Sequence, residues 1–339
     1  MNRLLTFATP LAFSALSLAA GATGTAPDIC PPALGIPGTV SRVSGTLRCD
    51  YPIPASAKPN YLAQVLAEAF AHGTPPKAIR LQLGSGAFRF SEPLDLSPFR
   101  ETAIEIVGSG ATATRLVFTN AHGIMLNGPQ GYRSISALTV SGDDRSGRIG
   151  DADKDKTGVT AKRGAALNIG PDVVVEAFSR CEIVAHLNST IFAPGVVSRG
   201  NGSDGVVAAY NSSVFARGAR ATDNEGVGFF AEANSSIDAR NTVASGNRFD
   251  RIDQKTGRSR GGDGYVAMQN ATINADHSTA ADNEDNGYSA TFHSMISARS
   301  ARCQGNAGAA MSASFGSTID AKGAATACNE TTREARIQR

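Results

Sequence analysis

A repeat with a period of 23 residues constrains this chain more than any other feature. Six units begin at Glu182, Gly205, Gly228, Gly264, Gly287 and Ala310. They are separated by 23, 23, 36, 23 and 23 residues, so one 13-residue insertion interrupts a constant spacing. The register holds in columns. Three residues into the units stand Ala185, Ala208, Ala231, Ala267, Ala290 and Ala313; nine in, Ile191, Val214, Ile237, Ile273, Ile296 and Ile319. Eleven in come Ala193, Ala216, Ala239, Ala275, Ala298 and Ala321, and nineteen in Asn201, Asn224, Asn247, Asn283, Asn306 and Asn329. Self-similarity at a fixed period of this length describes a solenoid, in which each unit buries its apolar face only against its neighbours.

Within a unit the apolar pattern has period 2, as in "FFA", "YVA", "IDA" and "ISA", and Gly, Asn, Ser and Asp separate the runs. Such alternation belongs to strands and such punctuation to turns. A coil of this length holds about three short strands, each pairing with its equivalent in the next coil, which is a parallel β-helix. The fold expected is therefore all-β: a single-stranded parallel β-helix with inward Ile, Val and Ala. The Asn column is expected at a turn where the backbone enters the left-handed region, with side-chain amides bonded from coil to coil. A second, partial column, Asn188, Asn211, Asn234 and Asn270, lapses at His293 and Gly316.

"GDGY" and "DNGY" leading into strands, the Asn ladder, and "IVGSGATATRL" at the first coils resemble the right-handed parallel β-helix of the pectin-lyase-like superfamily. The likeness runs from about Ile104 to Glu330. That superfamily includes polysaccharide lyases, polygalacturonase-type hydrolases, alginate epimerases and phage tailspikes. The resemblance implies the fold and a polysaccharide as substrate class. No Asn-Thr-Asp, Gly-His-Gly or Asp-Pro-His-Glu motif occurs, so no catalytic residue is carried over from it.

Residues 1–22 read as a bacterial-type secretory signal: Arg3, an apolar run from Leu4 to Leu18, and Ala20-Gly21-Ala22 as cleavage site. This implies a secreted or periplasmic protein. Residues 23–59, rich in Pro and Gly, are expected as an extended, poorly structured lead. Residues 60–330 are expected to form the β-helix domain, opened by an amphipathic helix after an Asn60 N-cap that covers the first coil's strand edges. Residues 331–339 are a polar tail. No other stretch is long and apolar enough to span a bilayer. A formal net charge of +2 on 339 residues gives no pull towards nucleic acid or membrane. Five cysteines in an exported chain predict two disulfides, Cys30–Cys49 and Cys303–Cys328, with Cys181 left over.

Three constellations could carry chemistry. Asp151, Asp153 and Asp155 alternate as in calcium loops, although Lys156 and Lys162 stand where such a loop needs Gly and Glu; the plain reading is a solvated charged loop. Asp143 and Asp144, with Asp204, Asp238 or Asp263 as partner, offer the paired carboxylates that split glycosidic bonds; the plain reading is turn chemistry. Arg217, Arg240, Arg299 and Lys322 recur at position 12 of successive units, interrupted by Asp276, and Arg220 and Arg302 at position 15. Stacked cations at coil spacing suit a chain of repeated carboxylates, or simply a salt-bridged solvent face.

Two insertions break the repeat: residues 142–164, which are acid-rich, and residues 248–261, which carry Arg248, Arg251, Lys255, Arg258 and Arg260. Rule-breaking segments tend to be functional. Both are expected to leave the same corner of the solenoid, four coil steps or about 20 Å apart, and to flank a groove. The expectation is an exported protein that binds an anionic, uronate-type polysaccharide and cleaves it by lyase or hydrolase chemistry, with calcium as the one cofactor suggested. The competing expectation is a non-catalytic scaffold, adhesin or envelope-associated binding protein. The missing Trp and missing catalytic motif favour the latter.

Overall fold

In the computed structural model each strand pairs with its equivalent one coil further along. The structure describes residues 30–43, 46–54, 58–71, 76–143, 156–249, 261–328 and 336–338. Three sheets result. Sheet I has thirteen strands, beginning with Thr39–Val43 and Thr46–Ile53 and ending with Arg336–Gln338. Sheet II has nine, from Gly86–Phe90 to Arg302–Gln304, and sheet III nine, from Leu94–Asp95 to Met311–Ala313. A coil passes from sheet III through sheet I to sheet II, as in Ile183–His186, Thr190–Phe192 and Val197–Arg199. Among the described strands the pairing is parallel, except for the antiparallel pair formed by the first two; two isolated antiparallel bridges, Ala33 with Ile36 and Phe249 with Gly261, lie outside the strands. This is the parallel β-helix that the period requires.

The repeat columns are the core. Ile191, Val214, Ile237, Ile273, Ile296 and Ile319 lie in one register on sheet I, each no more than 2% exposed. The Ala185-to-Ala313 column lines the inside of sheet III in the same way. Small side chains are needed because three sheets converge on a narrow interior. On sheet III Phe229, Tyr265 and Tyr288 point inward and stack at 5.1 and 4.7 Å. Their buried hydroxyls bond to Thr242 and Ser278, as buried phenols must.

The Asn column is a ladder at the corner between sheets II and III. Asn201 Nδ2 donates to Asn224 Oδ1 at 2.6 Å, and the same bond recurs from Asn224 to Asn247 (3.1 Å), Asn247 to Asn283 (2.9 Å) and Asn283 to Asn306 (2.8 Å). Asn329 lies outside the described residues. The left-handed backbone falls one residue earlier than expected, on Gly200, Asp223, Gly246, Asp282 and Gly305. That turn aims the asparagines inward, where their amides meet each other instead of water. The partial column does visit the left-handed region, at Asn188, Asn211, Asn234, Asn270 and His293, in the corner between sheets III and I. The glycine that opens a unit has its own reason. A Cβ on Gly228 would lie 2.7 Å from the Gly264 carbonyl of the next coil.

The helix Tyr61–Ala71 buries Leu62, Val65, Leu66 and Ala69. Asn60 precedes it, but its amide is spent on Ser91, accepting the backbone N–H at 3.1 Å and donating to the hydroxyl at 2.9 Å. The lead is more ordered than its composition suggests. Thr46–Ile53 pairs with Ala78–Leu83 and so begins sheet I, with Tyr51 and Ile53 turned into the core. Disulfides join Cys30 to Cys49 and Cys303 to Cys328, with Cα atoms 5.4 and 5.1 Å apart; Cys181 is free. No helix among the described residues is long and apolar enough to cross a membrane.

Candidate functional site

Sheet II turns five arginines outward among the described residues, beginning with Arg89 on its first strand. Arg115, Arg220 and Arg302 share one register column, and Arg199 stands in the next. Glu176 lies between Arg115 and Arg199 and binds both, at 2.5 Å to Arg115 Nη2 and 2.8 Å to Arg199 Nε. The carboxylate is buried, whereas its two arginines remain about half exposed. One buried acid thus positions two cations and leaves their outer N–H groups for a ligand.

At the II/III end of this face a pocket of about 300 Å³ opens, lined by Arg199, Gly200, Asn201, Asp223, Glu225 and Arg248. It spans three consecutive coils. Asn201, a buried rung of the Asn ladder, is part of its lining. Asp223 is exposed and sits at φ 57°, with its carboxylate laid over the next coil. Its Oδ1 is 2.7 Å from where a Cβ on Gly246 would be. Asp282 lies over Gly305 in the same way. Along this edge the left-handed position therefore alternates Gly200, Asp223, Gly246, Asp282 and Gly305.

A pocket holding two guanidiniums and two carboxylates can seat an anionic sugar ring and leave an acid or base beside it. Its location matches the two insertions. The first insertion is shorter than its sequence suggests, since Val159–Lys162 is a regular sheet III strand; it and residues 248–261 both leave the II/III corner, and Arg248 lines the pocket at the foot of the second. Asp144, Asp151, Asp153, Asp155 and Arg258 lie outside the described residues.

The remaining sequence-derived residues are dispersed. Asp143 is exposed and accepts the Asn120 N–H at 3.0 Å, a turn contact. Asp204 accepts the Val227 N–H at 2.7 Å and the Cys181 thiol at 3.7 Å. Burial, then Asp204, pushes the Cys181 thiol up. Asp238 faces out from sheet I, clamped by Arg217 at 2.7 Å and by Arg240 through both oxygens at 2.8 and 2.7 Å. Arg299 binds Asp320 at 2.7 Å, and Lys322 donates its backbone N–H to the same carboxylate at 3.3 Å. The position-12 cations thus line the turn between sheets I and II, partly neutralised. The position-15 cations, Arg220 and Arg302, lie on the sheet II face itself.

Asp263 lies deeper in the II/III corner. Burial pushes its carboxyl up to about 7, Asp285 adds to the rise, and an Asn286 Nδ2–H bond of 2.9 Å opposes it. Among the described residues no group of three His, Cys, Asp or Glu side chains could hold a metal ion.

Sequence reasoning missed Arg115, Glu176, Arg199, Asp223 and Glu225. A signal was present: "DNE" at 223–225 and 282–284 replaces the "GN" of neighbouring coils.

No protein-family model and no curated protein matches the chain. Among solved structures, the catalytic domain of Agl-KA is similar with a TM-score of 0.50 at 16% identity, covering 85% of this chain and 49% of that domain, so the chain spans about half its length. Pectate lyase Pel9A gives 0.47 at 14% identity over 85% and 79% of the two chains. The A-module of Azotobacter vinelandii mannuronan C-5 epimerase AlgE4 gives 0.45 at 14% over 80% and 88%. What is shared is the right-handed parallel β-helix.

Proposed function

We propose that this protein binds an anionic, uronate-type polysaccharide along the outward face of sheet II and cleaves it at the Asp223/Glu225 pocket. The observation that carries the proposal is the pocket itself, with Arg199 and Arg248 beside Asp223 and Glu225 in a space of about 300 Å³. A polyuronate presents one carboxylate per sugar. Guanidiniums recognise carboxylates in a planar, two-pronged fashion and remain charged at all working pH values. An arginine drawn to the uronate carboxylate also acidifies the neighbouring C5 proton. A carboxylate of Asp223 or Glu225 then takes that proton, the electron pair forms the C4=C5 double bond, and the C4–O bond breaks. The departing oxygen takes a proton from water or from the other carboxylic acid. Hydrolysis by the same two carboxylates, one as acid and one as base, is the second chemistry the pocket allows.

Arg115, Arg220 and Arg302 extend the cationic face beyond the pocket, and Arg217, Arg240, Arg299 and Lys322 border it. The two disulfides fit an oxidising compartment, and with the leader of residues 1–22 the proposed location is secreted or periplasmic. Calcium enters the proposal only through Asp151, Asp153 and Asp155.

The test is incubation of the mature protein with polygalacturonate and with alginate, with and without chelator, reading ultraviolet absorbance for unsaturated ends and a reducing-end assay for hydrolysis. Product that disappears in Asp223→Asn or Glu225→Gln supports cleavage. Binding without product from any polyuronate, weakened by Arg199→Ala, would replace the enzyme with a binding scaffold. No binding to any polyuronate at low salt would overturn the proposal altogether.

A further inference from the structure

The corner between sheets III and I lies away from sheet II and, past Lys162 and Arg163 in an early coil, is nearly without charge. Residues 209–213, 232–236, 268–272, 291–295 and 314–318 include one acidic or basic side chain, Glu232, besides His293. This same corner carries much of the exposed aromatic surface. Tyr210 is 48% exposed, Phe292 45% and Phe315 67%, with Met295 beside them at 48%. Tyr210, Phe292 and Phe315 occupy equivalent positions in their coils, all at positive φ (54, 54 and 49°). Bulky side chains are uncommon in that region of backbone space. Ala233 and Gln269 fill the same column in the two coils between.

The ring geometry gives the corner a shape. Phe292 and Phe315 stack with centroids 4.8 Å apart and planes 6° from parallel. One centroid step equals about one coil step, so each ring turns its faces along the solenoid axis. One face of Phe292 is covered by Phe315, and the other looks towards the Gln269 coil. Tyr210 stands three coil steps, about 14 Å, from Phe292. Between them the ridge drops to Ala233 and Gln269, flanked by the exposed amides of Asn234 and Asn270. The result is a notch with aromatic ends and an amide-lined floor, free of cations, whose one charged neighbour is the partly buried Glu232.

We propose that this notch is a second carbohydrate site, distinct from the sheet II face and selective for a neutral, β-linked pyranose chain. Such sugars hold their hydroxyls equatorially and expose C–H groups on both ring faces. Those faces lie against aromatic rings, while the hydroxyls bond to amides and need no counter-charge. A polyuronate is disfavoured here because nothing cationic lines the notch. An exposed apolar cluster of this kind marks an interaction site in general, and the lack of cations together with the aromatic-ended gap selects the sugar among the occupants.

The inference stands apart from the proposed sheet II activity, and its test separates the two. Cello- and xylo-hexaose are titrated into the mature protein by calorimetry, with saturation-transfer spectra recorded on the same samples. Binding to wild type that falls at least tenfold in Phe292→Ala/Phe315→Ala and in Tyr210→Ala, with polygalacturonate binding unchanged, supports the site. The side chains are exposed, so these variants are expected to keep the wild-type thermal transition. A single variant, Asn270→Ala, gives a second reading through the floor. Failure of wild type to bind either hexaose, or equal binding by the double variant, overturns the proposal. A wild-type dimer that the double variant converts to monomer also overturns it, and assigns the ridge to contact with a second copy.

Discussion

Replacing Asn247 by Ala is expected to cost as much as truncating a large core side chain, and the ladder shows why. Asn247 Oδ1 accepts two bonds from Asn224, one from the backbone N–H at 3.3 Å and one from Nδ2 at 3.1 Å. Its Nδ2 donates to Asn283 Oδ1 at 2.9 Å and to the Ala221 carbonyl at 3.3 Å. Asn247 and Asn224 are fully buried. The Ala variant leaves two donors of Asn224 without their acceptor and with no route to water. Orphaned buried donors cost about 1–3 kcal/mol each, so the loss is roughly 2–6 kcal/mol. Asn283 Oδ1 keeps the backbone N–H of residue 247, which limits the damage on that side. Urea unfolding followed by far-ultraviolet circular dichroism measures it as a lowered midpoint at unchanged slope. Asn211→Gly is the control, an exposed position at φ 59° where Gly is conformationally at ease. If Asn247→Ala came within about 1 kcal/mol of wild type, inside the net worth of one ordinary hydrogen bond, the ladder would not be holding the coils in register.

Other outcomes follow from the corner and the ends. Asp263 titrates near 7 in the folded chain against 3.8 as its ordinary value, so the folded state favours the protonated acid. Its contribution is fully present below about pH 4 and is lost as pH rises through 7. The difference amounts to about 4 kcal/mol, and Asp263→Asn should flatten the stability–pH profile between those limits and stabilise the protein at pH 8. A variant profile as steep as wild type would exclude Asp263 as the cause. Reducing Cys303–Cys328, which closes a loop of 25 residues in sequence separation, should lower stability by about 3 kcal/mol. Paired Cys303→Ser/Cys328→Ser protein that melts with wild type would show the bridge to be dispensable.

How much of this was legible in the sequence depends on the range of the cause. Ile273 and its column were readable because an inward position in a solenoid sees the same surroundings in every coil, so selection repeats the residue. The Cys303–Cys328 pair was readable for the same reason, because the two occupy nearby positions of adjacent coils; Cys30–Cys49 was readable only as two cysteines bracketing a Pro- and Gly-rich segment. The left-handed turn was displaced by one residue because the signal sits on the asparagine while the strain sits on the residue before it, which is Gly in some coils and Asp in others. Asp223 and Glu225 escaped notice because a pocket is made by what three coils do together. Arg199, Asp223 and Arg248 come from different units and share no spacing motif. Residues 39–53 were read as loose because they sit within a Pro- and Gly-rich lead, although they hold only Gly45 and Pro52 themselves, and because the partners of Tyr51 and Ile53, Leu81 and Leu83, lie far along the chain.

The alternation of Gly and Asp along the pocket edge has a further meaning. An aspartate at that turn lies where the following coil's Cβ would be, so a side chain there would push the carboxylate off its place over the coil. Glycine in the coil after each aspartate leaves that place open. The two turn aspartates, Asp223 and Asp282, accordingly stand two coil steps, about 10 Å, apart. A solenoid can thus favour an interval on its surface by sterics, before any ligand has imposed one.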